Sequence, residues 1–285
     1  MALSGQVALV TGASRGVGKG IAIALAKEGA LVYMTARSYE ENQVEKRLPG
    51  SLLSVEHEIK ELGGNCRCIQ CDHTDDEQTK KVFETIEKEQ GKLHILVNNA
   101  FAIPKPASEF FHKPFYTQPI HFFDTVTQVG LRNHYVCAVL ASKMLIESKG
   151  MIINISSAGG QTHLFNTCYG VTKCALDRMA VDMAIDLKPQ EVFCISLWPG
   201  MVKTERMIMG AALMGGIDKV NEEGESPEFV GRVIAALGSD SDRMSRTGKI
   251  WTTRKLASEY NVTDINGKQW PVDEDSEPQN FVKSS

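Results

Sequence analysis

"QVALVTGASRGVGKG", residues 6 to 20, is the stretch on which the reading of this chain turns. A short apolar run stops at Gly12, two more glycines follow at 16 and 18, and a helical pattern with Ile21, Ala24 and Leu25 on one face begins at once. A strand that passes through such a loop into a helix is the opening of a βαβ unit. In that setting Gly12 serves the tight turn, Gly16 lets backbone approach a pyrophosphate and Gly18 lets helix pack on strand, while the helix N-terminus offers unpaired N–H groups to an anion. Ser14, Arg15 and Val17 complete the loop, which is expected to hold a dinucleotide; a glycine-rich turn without a ligand is the alternative.

Working outward, further apolar runs recur as "LVYMTA" (31 to 36), "CRCIQC" (66 to 71), "LHILV" (93 to 97), "MIINI" (151 to 155), "VFCISL" (192 to 197) and "GKIWT" (248 to 252), with helical periodicity between them. This alternation predicts an α/β fold, a Rossmann-like doubly wound parallel sheet of about seven strands with helices on both faces. Neither a repeat nor a linker divides the chain, so residues 1 to 285 read as a single domain, with an acidic, proline-containing tail from about 264. Residues 38 to 55 read as an exposed insertion, 101 to 119 as a long ordered loop, and 203 to 217, rich in Gly and Met, as a lid.

Composition excludes several classes. Hydrophobic residues make up 42% and charged residues 23%, the proportions of an ordinary globular protein. A net charge of −4 without a basic cluster argues against nucleic acid as a partner. The N-terminus lacks the layout of a signal peptide, and no stretch reaches the roughly 20 apolar residues of a membrane span, so a cytoplasmic protein is expected. Seven scattered cysteines fit reduced thiols. Cys66, Cys68 and Cys71 alternate as in a strand, His112, His121, His134 and His163 have no ligand spacing, and no metal is expected.

The end of the second strand bears on the cofactor. A carboxylate there would accept from a ribose 2′-hydroxyl, whereas a cation would accommodate a 2′-phosphate. The strand ends in Ala36-Arg37, and Arg15 could reach the same phosphate with a forked guanidinium. NADP(H) is therefore expected, with NAD(H) as the alternative.

The second informative stretch is "SSAGGQTHLFNTCYGVTK" (156 to 173), with Tyr169 and Lys173 at i, i+4 on one helical face. Together with "TGASRGVG" (11 to 18), Asp72 after the third strand, "NNA" (98 to 100) and "PGMVKT" (199 to 204), in this order, the chain resembles the short-chain dehydrogenase/reductase family over nearly its whole length. The resemblance implies hydride transfer between a nicotinamide and a carbonyl or secondary alcohol. Tyr169 would be the proton donor, its phenol lowered from about 10 by a neighbouring cation and by the charge of the oxidised nicotinamide. Lys173 would hold the nicotinamide ribose, and a serine would orient the carbonyl oxygen. Family spacing to the tyrosine selects Ser156, while the "SS" pattern three residues before Gly160 selects Ser157; we take Ser157. By the same resemblance Asp72 accepts from the adenine amino group, Asn99 borders the adenosine ribose, Pro199 and Gly200 shape the backbone beneath the nicotinamide, and Thr204 fixes its carboxamide. A homodimer or homotetramer, paired through the helices flanking the fifth strand, is implied in the same way.

Two departures stand out. Gly130 occupies the place of the family's asparagine, so a Gly130→Asn change is expected to raise turnover, and Phe101 replaces the last glycine of "NNAG". Phe101, Phe165, Trp198, Met201, Met207 and Met209 are expected around an apolar substrate mouth suited to a steroid or xenobiotic ketone. A catalytically weak NADP(H)-binding regulator is the alternative function.

Overall fold

The computed structural model describes residues 1–41, 43–44, 48–105, 111, 113–272 and 277–281. His112 and parts of the two loops and of the tail named above lie outside the described residues. Seven strands, β1 (Val7–Thr11), β2 (Leu31–Ala36), β3 (Asn65–Gln70), β4 (Ile95–Asn98), β5 (Met151–Ile155), β6 (Phe193–Trp198) and β7 (Ile250–Thr252), form one sheet in the order β3-β2-β1-β4-β5-β6-β7. Every pairing is parallel. The chain steps from β1 outward to β3, then crosses back to lay β4 on the other side of β1. This reversal opens a crevice at the carboxyl ends of β1 and β4, where ligands of open α/β sheets bind.

Because successive strand residues point to opposite faces, the apolar strands supply two layers at once. Ala8 and Val10 pack with Ile21 and Leu25 of α1 (Gly16–Lys27) and with Phe229 and Val233 of the helix Pro227–Ser239. Val7 and Leu9 face the other way, onto Val82 and Ile86 of α3 (Asp76–Gln90), Cys137 and Leu145 of the helix Asn133–Ser148, and Ala180 of the helix Thr167–Leu187. Each fully buried Leu, Ile or Val contributes about 1.5–3 kcal/mol, so both faces must be covered and the strands can be apolar throughout.

Strand ends differ from the expected runs by a residue or two: β4 starts at Ile95, where the ladder to Ala8 begins, and β7 at Ile250. The stretch expected as an insertion over 38 to 55 ends earlier. Ser51 caps α2 (Leu52–Glu61), its side chain accepting from Ser54 N, and Ser38, Leu48, Leu52 and Val55 are buried. The C-terminal stretch is likewise drawn inward at first, with Asp264 and Trp270 buried. Further along, Asn280 Oδ1 accepts from Ile250 N at 2.7 Å, covering an amide of the edge strand. Among the described residues no helix is long and apolar enough to cross a membrane.

The helices after β4 are numbered in chain order. They are α4 (His121–Thr127), which runs through a π-helical turn at Gln128–Arg132 into α5 (Asn133–Ser148), then α6 (Thr167–Leu187), α7 (Glu205–Met214), α8 (Ile217–Glu223), α9 (Pro227–Ser239) and α10 (Thr253–Tyr260).

Candidate active site

The residues singled out in the sequence lie at the carboxyl ends of the strands. Gly12 follows β1 with φ +71°, and a Cβ there would sit 2.8 Å from Ala100 Cα, so only glycine fits between β1 and the loop after β4. Asn99 bolts this turn: its Nδ2 donates to Thr11 O at 2.8 Å and Gly12 O at 3.2 Å. Thr11 Oγ1 accepts from both Asn99 N and Ala100 N at 3.0 Å, a buried hub that only its position as the last strand residue could have suggested. Ser14, Gly16 and Gly18 are buried, and Val17 packs against the core.

At the N-terminus of α1 an anion is already seated. Gly16 N donates to Glu205 Oε2 at 2.8 Å, across 189 residues of sequence. This carboxylate comes from the first turn of α7, the helix in the segment expected as a lid. It shows that the Gly16 amide donates to a negative oxygen, as a pyrophosphate requires. Thr204, the N-cap of α7, lies alongside, its Cγ2 3.3 Å from where a Gly16 Cβ would be. The two loops meant to hold opposite halves of a dinucleotide thus meet at Gly16.

Beyond the carboxyl ends of β2 and β3, Arg37, Gln70, Asp72 and Gln78 line a cavity of about 530 Å³ together with Gln43 and Val44. Asp72 Oδ1 accepts from Thr74 N and Oγ1. Arg37 is exposed beside it. Arg15 is engaged elsewhere, donating from Nε to Pro49 O at 3.0 Å and from its terminal nitrogen to Gly50 O at 2.5 Å and Ser38 Oγ at 3.3 Å. It ties the 48–50 stretch down over the glycine turn, and among the described residues that line the cavity Arg37 is the cation.

The reacting end is built by α6. Asn166 caps the helix, accepting from Tyr169 N at 3.0 Å, and so places Tyr169 in the first turn and Lys173 one turn on. Tyr169 Oη donates to Ser157 Oγ at 2.9 Å. Ser157 Oγ also accepts from Gly159 N at 3.0 Å. With both acceptor sites used, the serine proton is left to donate to a further group. Ser156 turns inward, donating to Lys173 O at 3.2 Å. Lys173 Nζ is buried and donates to Ile155 O at 2.9 Å.

Burial dominates the electrostatics here. It pushes the Tyr169 phenol up, against the smaller lowering from the Ser157 bond, so the expected lowering does not hold in this arrangement. The ring stands edge-on between Phe101, at 5.7 Å, and Phe165, at 5.0 Å, and this apolar packing outweighs nearby polarity. Burial likewise pulls Lys173 down to about 8, partly offset by Asp177 one turn further along α6. Asp177 is itself buried and accepts from Ser196 Oγ at 2.5 Å and Trp198 Nε1 at 2.9 Å. Trp198, expected at the substrate mouth, therefore belongs to the core. Phe165 holds φ +64°, a strained conformation for a phenylalanine, beside the tyrosine it packs on.

The two departures prove to be one feature. Gly130 lies in the π-helical turn, and a Cβ there would meet Phe101 Cδ2 at 2.8 Å and Cε2 at 3.1 Å. The Phe101 ring fills the space a side chain at 130 would need, and Lys173 Nζ lies 5.2 Å from its centroid. His134 Nε2 bonds to Ala100 O at 2.9 Å and steadies the approach to Phe101. Sequence reading did not single out Glu205, Thr11, Asp177 or Glu225, each of which acts through a partner distant in the chain. Among the described residues no group of three or more His, Cys, Asp or Glu could hold a metal ion.

Comparison with known proteins agrees with this geometry. The profile of the short chain dehydrogenase family matches residues 6–210. The chain is 37% identical to dehydrogenase/reductase SDR family member 1 of Mus musculus over 93% of its own length and 85% of the relative's. It is 35% identical to the protein of that name from Homo sapiens, with the same coverage of both chains. A metagenomic short-chain oxidoreductase solved in complex with NADP superimposes with a TM-score of 0.68 at 28% identity, over 85% of this chain and 95% of that one. A seven-stranded parallel sheet, a glycine turn that seats an anion and a tyrosine, lysine and serine at its far end, set beside these matches, lead to one assignment: the chain belongs to the short-chain dehydrogenase family.

Proposed function

We propose that this protein is an NADP(H)-dependent oxidoreductase that transfers a hydride between nicotinamide and a carbonyl or secondary alcohol, with hydrophobic ketones of steroid or xenobiotic type as its substrate class. The observation that carries the reading is the 2.9 Å bond from Tyr169 to Ser157 with Lys173 on the next turn, in the same crevice as an amide that seats a carboxylate. Arg37 on the wall of the adenosine-side cavity, and the solved relative that carries NADP, support the choice of cofactor.

The bound nicotinamide supplies or takes the hydride. Residues 12 to 18 and Thr204 would hold its phosphates and carboxamide, Arg37 and Asp72 its adenosine end. Ser157 would direct its free proton at the substrate oxygen. Tyr169 would give its proton to that oxygen as negative charge develops, and a phenol pushed up by burial keeps this proton at neutral pH. Lys173, at about 8, would hold the proton that replaces it. Phe101, Phe165 and Phe111, whose ring stands 5.2 Å from that of Phe165, would favour an apolar substrate.

The same reading takes the protein as a cytoplasmic homodimer or homotetramer of one-domain chains, and exposed Tyr135, Val139 and Ile146 on α5 and Ile185 on α6 support pairing through these helices. A catalytically weak NADP(H)-binding regulator is the second reading, favoured by the Phe101 ring closing the space beside Gly130. Consumption of NADPH over a panel of ketones separates the two. Tyr169→Phe should lower that rate by about 10²–10⁴ while NADPH still binds; an unchanged rate would refute the mechanism, and no rate on any ketone would favour the regulator.

A further inference from the structure

We propose that Glu225 is the positioning residue of the loop from Pro199 to Thr204, and through it of the nicotinamide half of the cofactor; this rests on the cofactor reading above. A loop that leaves a strand end over a crevice must satisfy its backbone groups or lose its shape. Glu225 supplies three partners to it. Its N donates to Met201 O at 2.7 Å, its carbonyl accepts from Lys203 N at 2.9 Å, and its carboxylate Oε2 accepts from Gly200 N at 3.2 Å. Bonds to 201 and 203 form a one-residue parallel bridge opposite Val202, so the loop is held as a stub of strand.

The carboxylate is fully buried, which is sustainable only with a charged partner. Arg254 Nε provides it at 2.6 Å from Oε1. The guanidinium lies 4.8 Å from the Trp270 ring centroid. Trp270 Nε1 in turn donates to Asp264 Oδ2, which also accepts from Ser226 N. Residues 225 and 226 are thereby fixed by α10 and by the segment after it. The glycine at 200 has a reason that needs no ligand, because a Cβ there would collide with the Glu225 carboxylate. At its far end the loop reaches Thr204 beside Gly16, so its shape sets the distance between the nicotinamide and phosphate halves of the site.

The test compares fluorescence or calorimetric titration of NADPH with that of 2′,5′-ADP, which carries the adenosine phosphates but no nicotinamide. Glu225→Gln should weaken NADPH about tenfold and leave 2′,5′-ADP unchanged. Should Glu225→Gln fail to fold, Gly200→Ala, which pushes the loop off the same carboxylate, should show the same selective loss. Equal weakening of both ligands would mean that Glu225 serves only the general fold, and unchanged NADPH binding would mean that it positions nothing; either result overturns the proposal. Wild-type protein that binds neither ligand overturns the cofactor reading itself, and this proposal with it.

Discussion

At the phosphate end of the crevice, glycines and amides drawn from residues 12 to 18 form the anion seat, and Asn99, Thr204 and Glu205 come to it from elsewhere. At the reacting end, Tyr169, Ser157, Lys173, Phe101 and Gly130 converge from separate segments, and most are packed in apolar surroundings. The first end depends on backbone conformation, which neighbouring residues dictate. The second depends on side chains whose protonation is governed by burial, as Lys173 at about 8 illustrates. A side-chain change at the first end that leaves its glycines in place should therefore act on ligand affinity with little cost to the fold, whereas a change at the second should disturb packing as well.

Arg37→Asp gives the largest expected effect on the phosphate side. Exchanging a cation for an anion on the cavity wall should shift preference from NADP(H) toward NAD(H) by about 2 kcal/mol, the scale of one charged hydrogen bond. Titration with both cofactors measures it. An unmoved preference would assign the 2′-phosphate to another group.

Gly130→Asn probes the reacting end. The sequence-based expectation of a gain concerns turnover; for stability, the new Cβ would lie 2.8 Å from the Phe101 ring. Overpacking of this kind should destabilise by about 1–2 kcal/mol. The Gly130→Asn/Phe101→Gly double variant should recover part of that loss. Denaturant midpoints decide it, and a single variant as stable as wild type would show that the two positions are independent.

Glu205→Gln should have the smallest effect and the opposite sign. Removing the charge that competes for the Gly16 amide should tighten NADPH by a few-fold, in line with the roughly 0.3–1 kcal/mol of a charge at a helix terminus. Weaker binding in the Gln variant would instead make Glu205 part of the cofactor's support.

Particular residues show how far the sequence could be read. The runs at 31 to 36 and 151 to 155 coincide with β2 and β5, because strands buried on both faces are continuous apolar segments with clear ends. The spacing between serine and tyrosine points to Ser156, while the serine pair before Gly160 points to Ser157, the residue taken. The difference between them, one turned to Lys173 O and the other to Tyr169 Oη, arises from the 3₁₀ turn at Ala158–Gly160, which spacing alone does not show. Arg15 and Arg37 looked alike as phosphate partners until the 48–50 stretch folded onto Arg15.

By itself, then, the sequence determined the α/β order, the glycine turn and the placement of Tyr169 and Lys173 on one helical face, since each is set by interactions within a dozen or so residues. The tertiary structure decided that Phe101 fills the space beside Gly130, that Glu205 seats on Gly16 and that Glu225 braces the loop at Gly200. These contacts join residues 25 to 189 positions apart, and packing across the sheet's carboxyl edge, which no local pattern encodes, brings them together.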